Sequence, residues 1–342
     1  MVVAWFSFTS LLASGTTALY GVLALLLALW IDRRWGEPPS ALHPVVWMGH
    51  YLAWCGQRTV RCPPAAALGL GALAWCAGAA VTALVALGLQ TLLFWQIGRA
   101  ALAIGWAGWA GAVLLMACFA GAFKTTLSWR MLRSEVLAVE TALGESLEAG
   151  RKRLSWLVSR DTASLTASEV RESAIESLAE NLNDSVVAPI LWFALLGLPG
   201  AAVYRFANTA DAMWGYRGVR NGQNWEWAGK WAARADDVLS WVPARITALL
   251  IVVVTPRVTF KNLRAEARRT PSPNSGWPMA AMAIALGICL GKPGTYTLNA
   301  SGRIPETADT LKTIKKASNV LLVLVFAACV AILFIAFSGI GR

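Results

Sequence analysis

Long apolar stretches alternate with short basic segments along most of this chain. Four apolar runs, at about 10–31, 66–95, 100–123 and 319–340, each reach the roughly 20 residues that a helix needs to cross a bilayer. Three shorter runs, at about 187–204, 238–255 and 276–290, are interrupted by proline or arginine. The long runs predict membrane spans, whereas each short run fits a short span, a re-entrant piece or a surface-lying helix.

The stretch 124–186 has a different, amphipathic pattern. Leu132, Val136 and Val139 recur at helical spacing between polar residues. No run alternates apolar and polar residues as a half-buried strand would. The sequence therefore predicts one all-α polytopic helical bundle over residues 1–342, with 124–186 as a cytoplasmic helical layer within it.

Acids and amides concentrate in SRDTASLTASEVRESAIESLAENLND, residues 159–184. A helix that begins near Thr166 or Ser168 would carry four acids on one face: Glu169, Glu172, Glu176 and Glu180. Like charges at this spacing destabilise a helix, so we expect a partner cation or a solvated face to compensate. The stripe continues through Asn183 and Asp184 into an apolar run, which places these acids at a membrane boundary.

Composition agrees with a membrane protein and with one orientation in the membrane. The chain is 57% hydrophobic and 14% charged, and its mean hydropathy is +0.54. The net charge of +11 does not indicate nucleic acid, because lysine and arginine lie in connectors beside apolar runs, as the positive-inside bias predicts. The basic segments 32–64, 124–153 and 257–269 then face the cytoplasm of a cell (inner) membrane, together with the acidic helix.

A second polar cluster lies in YRFANTADAMWGYR, residues 204–217. Asn208 and Asp211 share a helix face, with Arg205 and Arg217 at the two ends of the segment. Such a set suits a magnesium-phosphate or carboxylate ligand. The alternative is a structural aspartate–arginine pair at a membrane interface.

Adjacent acids, Asp236 and Asp237, occur in RADDVLSWVPAR at the start of another apolar run. Neighbouring carboxylates cannot share one helix face. We therefore expect one of them to be a helix cap or a surface residue, and the other to bind a metal or act as a general base.

Two loops offer further polar groups. His43 follows the rigid turn GEPP, and a lone histidine is either a packed residue or a ligand-binding one. Asn274 lies in TPSPNSGWPMAAMA, where exposed amides before a helix could bind an anion, or where the loop is simply a helix stop. The sequence has no phosphate-binding glycine loop, so a nucleotide would bind in some other way.

Five segments, taken in order, resemble the membrane-bound cobinamide-phosphate synthase family of cobalamin biosynthesis: GEPPSALHPVVWMG, SRDTASL with ESLAENLNDSVVAP, YRFANTADAMWGYR, RADDVLSWVPAR and SPNSGWPMAAMA. The likeness spans about residues 20–300. It implies an amide-forming ligase that uses ATP to join adenosylcobyric acid to aminopropanol or its O-phosphate. The chain departs from the usual pattern at four positions: Glu37, Ser185, Ser240 and Thr270.

The resemblance suggests roles for the acids, with Mg²⁺ and ATP as cofactor and cosubstrate. The expected catalytic residues are Glu176, Glu180, Asp211, Asp236 and Asp237, and the expected metal ligands are Glu180, Asp184 and Asp211. The expected substrate-binding residues are His43, Arg160, Asp161, Asn181, Arg205, Asn208, Arg217, Arg245 and Asn274. Trp214, Trp225 and Trp227 are either stacking surfaces for the corrin or interfacial anchors.

Other functions fit parts of the pattern. An intramembrane Mg²⁺-dependent prenyltransferase would use an asparagine and aspartate cluster, and a membrane sensor or scaffold would need none of the acids. A transporter would place its acids within the long spans. A homo-oligomer is compatible with the sequence. One ATP site can include both Glu180 and Asp211 only if run 187–204 enters the membrane and returns to the same side.

Overall fold

The computed structural model describes residues 14–102, 105–255 and 260–337, and most of them are helical. The prediction of an all-α polytopic membrane protein is confirmed. The helices are α1 (Ser14–Trp35), α2 (Pro44–Thr59), α3 (Pro64–Leu102), α4 (Trp106–Lys124), α5 (Trp129–Glu145), α6 (Leu147–Leu154), α7 (Ala167–Leu182), α8 (Ala188–Trp214), α9 (Lys230–Leu239), α10 (Trp241–Val253), α11 (Phe260–Ala267), α12 (Gly276–Leu286) and α13 (Thr307–Phe337). The described residues leave out four parts of the predicted segments: the outer ends of runs 10–31 and 319–340, positions 103–104, and the start of the basic segment 257–269.

Two short antiparallel hairpins interrupt the helices. Strand β1 (Val219–Arg220) pairs with β2 (Gln223–Asn224), and β3 (Leu290–Lys292) pairs with β4 (Tyr296–Leu298). Neither was predicted, because strands of two or three residues are too short to show an alternating pattern.

Among the described residues, five segments are long and apolar enough to cross a membrane by length and composition. They are Gly15–Trp35, Pro64–Leu102, Trp106–Lys124, Ala167–Trp214 and Thr307–Phe337. Four of them correspond to the four predicted long runs. Run 187–204 lies in the remaining segment, and α10 and α12 are shorter apolar helices that match the other two short runs.

Run 187–204 does not form one straight helix. Helix α8 breaks at Gly197, whose backbone angles are φ 69° and ψ −160°. A Cβ atom on Gly200 would lie 2.5 Å from the carbonyl oxygen of Trp192, eight residues earlier. Residues eight apart in a straight helix are separated by about 12 Å. The chain therefore folds back on itself, and α8 is a helical hairpin, which is the shape that the re-entrant alternative requires.

The second arm of this hairpin runs antiparallel to α3. A Cβ on Gly78 would meet the ring of Phe206, whereas Gln90, further along α3, accepts a hydrogen bond from the backbone nitrogen of Leu198 at 2.8 Å. Gln90 lies twelve residues before the end of α3 at Leu102, which is about 18 Å along the helix. The turn of the hairpin is therefore placed within the apolar length of α3.

The chain divides into two compact units, each with its own core. The first unit comprises Met1–Ser128, Ala188–Leu239 and Val325–Arg342. Its core includes Leu52, Phe206 and Trp214. The second unit comprises Trp129–Val187 and Ser240–Leu324. The predicted apolar face of α5 is buried in it, including Val136 and Val139.

Candidate functional site

Helix α7 begins where the sequence predicted and fixes its acidic face. Thr166 is the N-cap, and its hydroxyl accepts a hydrogen bond from the backbone nitrogen of Glu169 at 3.4 Å. The Glu169 carboxylate in turn accepts one from the backbone nitrogen of Thr166 at 2.7 Å. This capping box uses Glu169 for helix initiation. The later acids of the stripe, Glu172, Glu176 and Glu180, remain for other roles.

The centre of the candidate site is an ion pair between Arg160 and Glu176 in the second unit. Arg160 Nη2 donates to Glu176 Oε2 at 3.0 Å, and the Glu176 side chain is 2% exposed. A carboxylate this deeply buried needs an opposite charge, since desolvation otherwise outweighs its ionisation. The expected partner cation is therefore present. Lys292 of β3 adds a second positive charge near Glu176.

Tyr296 of β4 lies close enough to Glu176 to interact with it electrostatically, and its hydroxyl lies 3.9 Å from Met279 Sδ. Burial, and then the negative charge of Glu176, raise the pKa of Tyr296 above its ordinary value. The phenol therefore stays protonated at neutral pH and remains a hydrogen-bond donor beside the carboxylate. Burial and the nearby carboxylates of Glu172 and Glu176 likewise raise the pKa of Cys289, which remains a thiol.

Three buried polar atoms around this ion pair have no hydrogen-bond partner among the described residues. They are Glu176 Oε1, Arg160 Nη1 and Ser173 Oγ. Ser173 precedes Glu176 by three residues on α7, so the two side chains share a face. Buried polar atoms are normally satisfied, so we expect a water molecule or another polar group to complete the hydrogen bonds here.

Glu180 and Asp184 extend the acidic face toward the end of α7. Glu180 interacts electrostatically with Asp184, Glu176 and the two cations Arg160 and Lys292. Asp184 lies in a π-helical turn, Asn183–Val187, where Asn183 Nδ2 donates to Asp184 Oδ1 at 2.8 Å. Single π-helical turns redirect side chains and recur at functional sites.

Two predicted substrate-binding residues of the second unit make local contacts instead. Asn181 Nδ2 donates back to the Ser177 carbonyl oxygen at 2.9 Å. Asp161 is exposed, and its Oδ1 accepts from the backbone nitrogen of Ala163 at 2.9 Å, which shapes the loop before α7. Their predicted roles in binding substrate stay predictions.

Arg245 and Asn274 are brought together, also in the second unit. Arg245 Nη1 donates to Asn274 Oδ1 at 2.7 Å, and Arg245 Nη2 donates to the Pro273 carbonyl oxygen at 3.1 Å. The guanidinium lies over the rings of Trp241 and Trp277, at 4.4 and 5.0 Å from their centroids. Burial lowers the pKa of Arg245 from its ordinary value.

The first unit holds His43 within a cluster of charges that the sequence did not predict. His43 Nε2 lies 3.1 Å from Glu37 Oε2, and Lys124 Nζ donates to the same oxygen at 2.7 Å. Lys124 also pairs with the buried Asp32 at 3.3 Å. Burial disfavours ionisation of Glu37, but hydrogen bonds and charge from His43 and Lys124 outweigh it and lower the pKa of Glu37.

Three more predicted residues lie on the second arm of α8, and two others, Arg217 and Asp237, follow it in the first unit. Arg205 Nη2 donates to Ser128 Oγ at 3.4 Å. Asn208 and Asp211 follow on the same arm, which ends at Trp214. Burial raises the pKa of Asp237, and the positive charge of Arg217 partly offsets this shift. Arg217 and Asp237 therefore lie close enough to interact.

Asp236 and Asp237 both lie inside α9, so neither is the N-cap, and both are partly exposed, which is compatible with the surface alternative. The interpretation of Trp214 as a stacking surface or an interfacial anchor is wrong. Trp214 is only 1% exposed, and its indole nitrogen donates to the Leu52 carbonyl oxygen at 3.2 Å. Trp214 is therefore a core residue and offers no stacking surface.

The predicted site residues thus fall into two sets. The second unit holds Arg160, Asp161, Glu176, Glu180, Asn181, Asp184, Arg245 and Asn274, and the first unit holds His43, Arg205, Asn208, Asp211, Arg217, Asp236 and Asp237. A single site that uses both sets stays a prediction. Among the described residues, no group of three or more His, Cys, Asp and Glu side chains is arranged to hold a metal ion.

Sequence reasoning missed Lys124, Lys292 and Tyr296. Lys124 is the last residue of an apolar helix and looked like an orientation signal only. Lys292 and Tyr296 flank the tight turn of the β3–β4 hairpin, and the Pro-Gly pair at 293–294 was the available signal for that turn. Nothing in the local sequence places either residue beside α7.

Comparison with known proteins gives one consistent family. A family model described as CobD/Cbib protein matches residues 25–333. A relative from Methanothermobacter thermautotrophicus named "Probable cobalamin biosynthesis protein CobD" is 40% identical, covering 92% of this chain and 99% of the relative. Relatives named "Cobalamin biosynthesis protein CobD" from Brucella anthropi (35% identical, 85% of this chain and 90% of the relative) and Dehalococcoides mccartyi (33%, 84% and 90%) also match. No solved structure matches the chain.

Proposed function

The chain belongs to the CobD/CbiB family, and we propose that it is the amide-forming ligase of adenosylcobalamin biosynthesis. In this proposal the protein joins a carboxylate of adenosylcobyric acid to the amine of aminopropanol or aminopropanol O-phosphate. ATP activates the carboxylate, and the reaction takes place at the cytoplasmic face of a cell membrane.

The observation that carries the proposal is the polar group around Arg160 and Glu176. The buried Glu176 carboxylate and the partly exposed Arg160 guanidinium each keep one buried atom without a partner among the described residues, and Ser173 Oγ is a third such atom. Lys292 adds positive charge, and Glu180 adds a second carboxylate. Cations, a hydroxyl and acids gathered around the buried Glu176 suit a phosphate group with its magnesium ion.

The proposed chemistry has two steps. In the first, an oxygen of the substrate carboxylate attacks the γ-phosphorus of ATP and forms an O–P bond, which gives an acyl phosphate. The bond between the γ-phosphorus and the oxygen of the β-phosphate breaks, and ADP leaves. In the second, the amine nitrogen attacks the carbonyl carbon and phosphate leaves. The ammonium form of the amine must lose one proton before the attack and one after it. A carboxylate alone is too poor an acyl donor, which is why activation is needed.

The residues of the second unit supply the phosphoryl part of this scheme. Arg160 would offset the charge that builds on the transferring phosphoryl group, and Lys292 would assist. Arg160 holds one Glu176 oxygen and so orients the other, while the protonated Tyr296 would offer a hydrogen-bond donor beside it. Glu180 and Asp184 fit Mg²⁺, which normally uses one or two carboxylates with water and phosphate, and the ion would neutralise phosphate charge there.

The residues of the first unit are assigned to the amine. Asp237 is the better candidate for a general base than Asp236, because burial raises its pKa toward the range where a carboxylate accepts protons effectively. Asp211 would bind metal or take this role instead. Arg217 would hold the phosphate of a phosphorylated amine, while His43, Arg205 and Asn208 would bind the remaining polar groups of the substrates.

A turnover assay tests the proposal. Purified, detergent-solubilised protein is incubated with adenosylcobyric acid, Mg²⁺-ATP and either aminopropanol or its O-phosphate. We expect a corrinoid product whose mass corresponds to one new amide, with one ADP released for each. The relative rates identify the amine. Folded protein that forms no amide with either amine would overturn the ligase assignment and favour a sensor or scaffold.

A further inference from the structure

A basic pocket in the second unit lies beside the outer face of an apolar helix. It has a volume of about 670 Å³ and is lined by three arginines. Arg245 belongs to α10, Arg264 belongs to α11, and Arg268 directly follows α11. None of the described residues that line it is acidic. Three positive charges without a lining carboxylate favour an anionic ligand.

The remaining walls of this pocket are aromatic and apolar. Trp241 and Trp277 stand at the first turns of the apolar helices α10 and α12, where interfacial tryptophans usually lie. Val242 and Ile246 line the same pocket. A small soluble phosphate would leave these apolar walls unused, whereas an amphiphile would contact both the charges and the walls.

An exposed apolar stripe continues from the pocket along α10. Trp241, Arg245, Leu249 and Val253 are spaced four residues apart and therefore share one face of the helix. Leu249 is 47% exposed and Val253 66% exposed, while Ala244, Ala248 and Ile251 on the opposite face are buried. The outer face thus has a cationic end and an apolar length, as the headgroup and chain of a lipid require.

We propose that the pocket lined by Arg245, Arg264 and Arg268 binds the phosphate of an anionic glycerophospholipid, with an acyl chain lying along Leu249 and Val253. Guanidinium groups pair well with phosphate oxygens, and basic pockets at membrane boundaries attract acidic headgroups. Asn274 and the Pro273 carbonyl oxygen hold the Arg245 guanidinium between the two tryptophan rings. The arginine is therefore oriented before the lipid arrives.

Native mass spectrometry of the full-length protein tests this assignment without any turnover, so its failure and that of the ligase proposal are distinguishable. Dioctanoyl phosphatidylglycerol and dioctanoyl phosphatidylcholine are titrated separately. The wild-type protein should retain the anionic lipid in preference to the zwitterionic one. The double variant Arg264→Gln/Arg268→Gln should bind phosphatidylglycerol about tenfold or more weakly and lose the preference.

Arg58→Gln is the matched control. In the first unit, Arg58 lies 4.1 Å from the ring centroid of Trp54 and donates to the Trp54 carbonyl oxygen at 2.8 Å. Arg245 lies over Trp241 in the same way and donates to the Trp241 carbonyl oxygen at 2.8 Å. This variant should bind both lipids like the wild type. Leu249→Asn tests the chain position, and it should weaken retention of both lipids while the preference for the anionic one persists.

Three results would overturn the proposal. One is equal retention of the two lipids by the wild-type protein. Another is an unchanged lipid preference in the folded double variant. If the double variant does not fold, the corresponding result is unchanged retention of both lipids by Leu249→Asn. The third is displacement of phosphatidylglycerol by sn-glycerol 3-phosphate or inorganic phosphate at similar concentration, which would identify a site for soluble phosphates.

Discussion

Gln90 Oε1 accepts a hydrogen bond of 2.8 Å from the backbone nitrogen of Leu198, the residue that follows the reversal at Gly197. Gln90 is 2% exposed and lies in the middle of an apolar helix. A helix break in an apolar environment leaves backbone groups that must be satisfied by another part of the protein. Gln90 does this for the turn of the α8 hairpin.

Replacement of Gln90 by leucine should therefore destabilise the hairpin. The change keeps the size and apolar stem of the side chain but leaves the Leu198 nitrogen buried without its acceptor, a loss of about 1–3 kcal/mol. Thermal unfolding in detergent, followed by circular dichroism, measures this loss of stability. Gln96→Leu, six residues along the same helix, is the control and should unfold near the wild-type temperature. Equal unfolding temperatures for Gln90→Leu and the control would show that this bond does not hold the turn.

The reversal at Gly197 also predicts the sidedness of the segment that follows it. A hairpin returns to the membrane face that it entered, so Val219 should face the same side as the helices of segment 124–186. In a background without native cysteines, Val219→Cys and Ser134→Cys should react with a membrane-impermeant maleimide from the same side. Trp106→Cys, between two spans, should react from the other side. Labelling of Val219→Cys together with Trp106→Cys would mean that run 187–204 crosses.

Loss of one charge in the acidic face of α7 should remove activity and leave the fold intact. Glu180→Gln preserves shape, so the folded protein should still insert, but it removes a carboxylate proposed to bind the magnesium ion. We expect ligation to fall by at least about a hundredfold. Glu145→Gln, at the exposed end of α5, is the matched control and should retain wild-type rates. Normal amide formation by Glu180→Gln would exclude Glu180 from the mechanism.

The pair formed by Arg171 and Glu140 has a structural role and gives a pH-dependent stability. Arg171 Nε and Nη2 donate to the two Glu140 oxygens at 2.9 and 2.8 Å, and Thr310 Oγ1 donates to Glu140 at 2.5 Å. Burial opposes ionisation of Glu140, but these hydrogen bonds and the charge of Arg171 outweigh it and lower its pKa.

Because the folded-state pKa of Glu140 is lowered, its contribution to stability is complete above the unfolded-state pKa and is lost as pH falls through the folded-state value. The unfolding temperature should therefore drop as the solution is acidified below about pH 4.5. Glu140→Gln should be less stable at neutral pH and show a shallower drop. If both proteins lose stability in parallel on acidification, another group is responsible.

The sequence identified the parts of the site that depend on local pattern. The N-cap at Thr166 and the acidic face of α7 follow from short-range rules, whereas the contact between Arg245 and Asn274, 29 residues apart, was not predicted. Lys292 and Tyr296 reach Glu176 only through a tertiary contact of the β3–β4 hairpin, which no spacing rule encodes. The hairpin in α8 was one of several options, since a Gly-Leu-Pro-Gly break fits a kink as well as a reversal.

The same limit explains why Lys124 was missed, and it leads to a further prediction. Lys124 is 3% exposed, and its ammonium group pairs with Asp32 at 3.3 Å and Glu37 at 2.7 Å, two acids far from it in the chain. Removing one partner of a buried ion pair leaves an uncompensated charge, at a loss of about 3–5 kcal/mol. Lys124→Met should therefore lower the unfolding temperature strongly.

A double variant distinguishes this charge effect from a loss of packing. In Lys124→Met/Asp32→Asn the buried carboxylate of Asp32, which is 1% exposed, is replaced by a neutral amide. If the cost of Lys124→Met arises from the loss of the cation beside the Asp32 carboxylate, the double variant should recover part of the lost stability, because the two changes act on one interaction and are not additive. Glu37 retains its contact with His43 in both variants. Additive destabilisation by the two substitutions would show that Lys124 contributes through its apolar stem, and that the Asp32 carboxylate is stabilised by other groups.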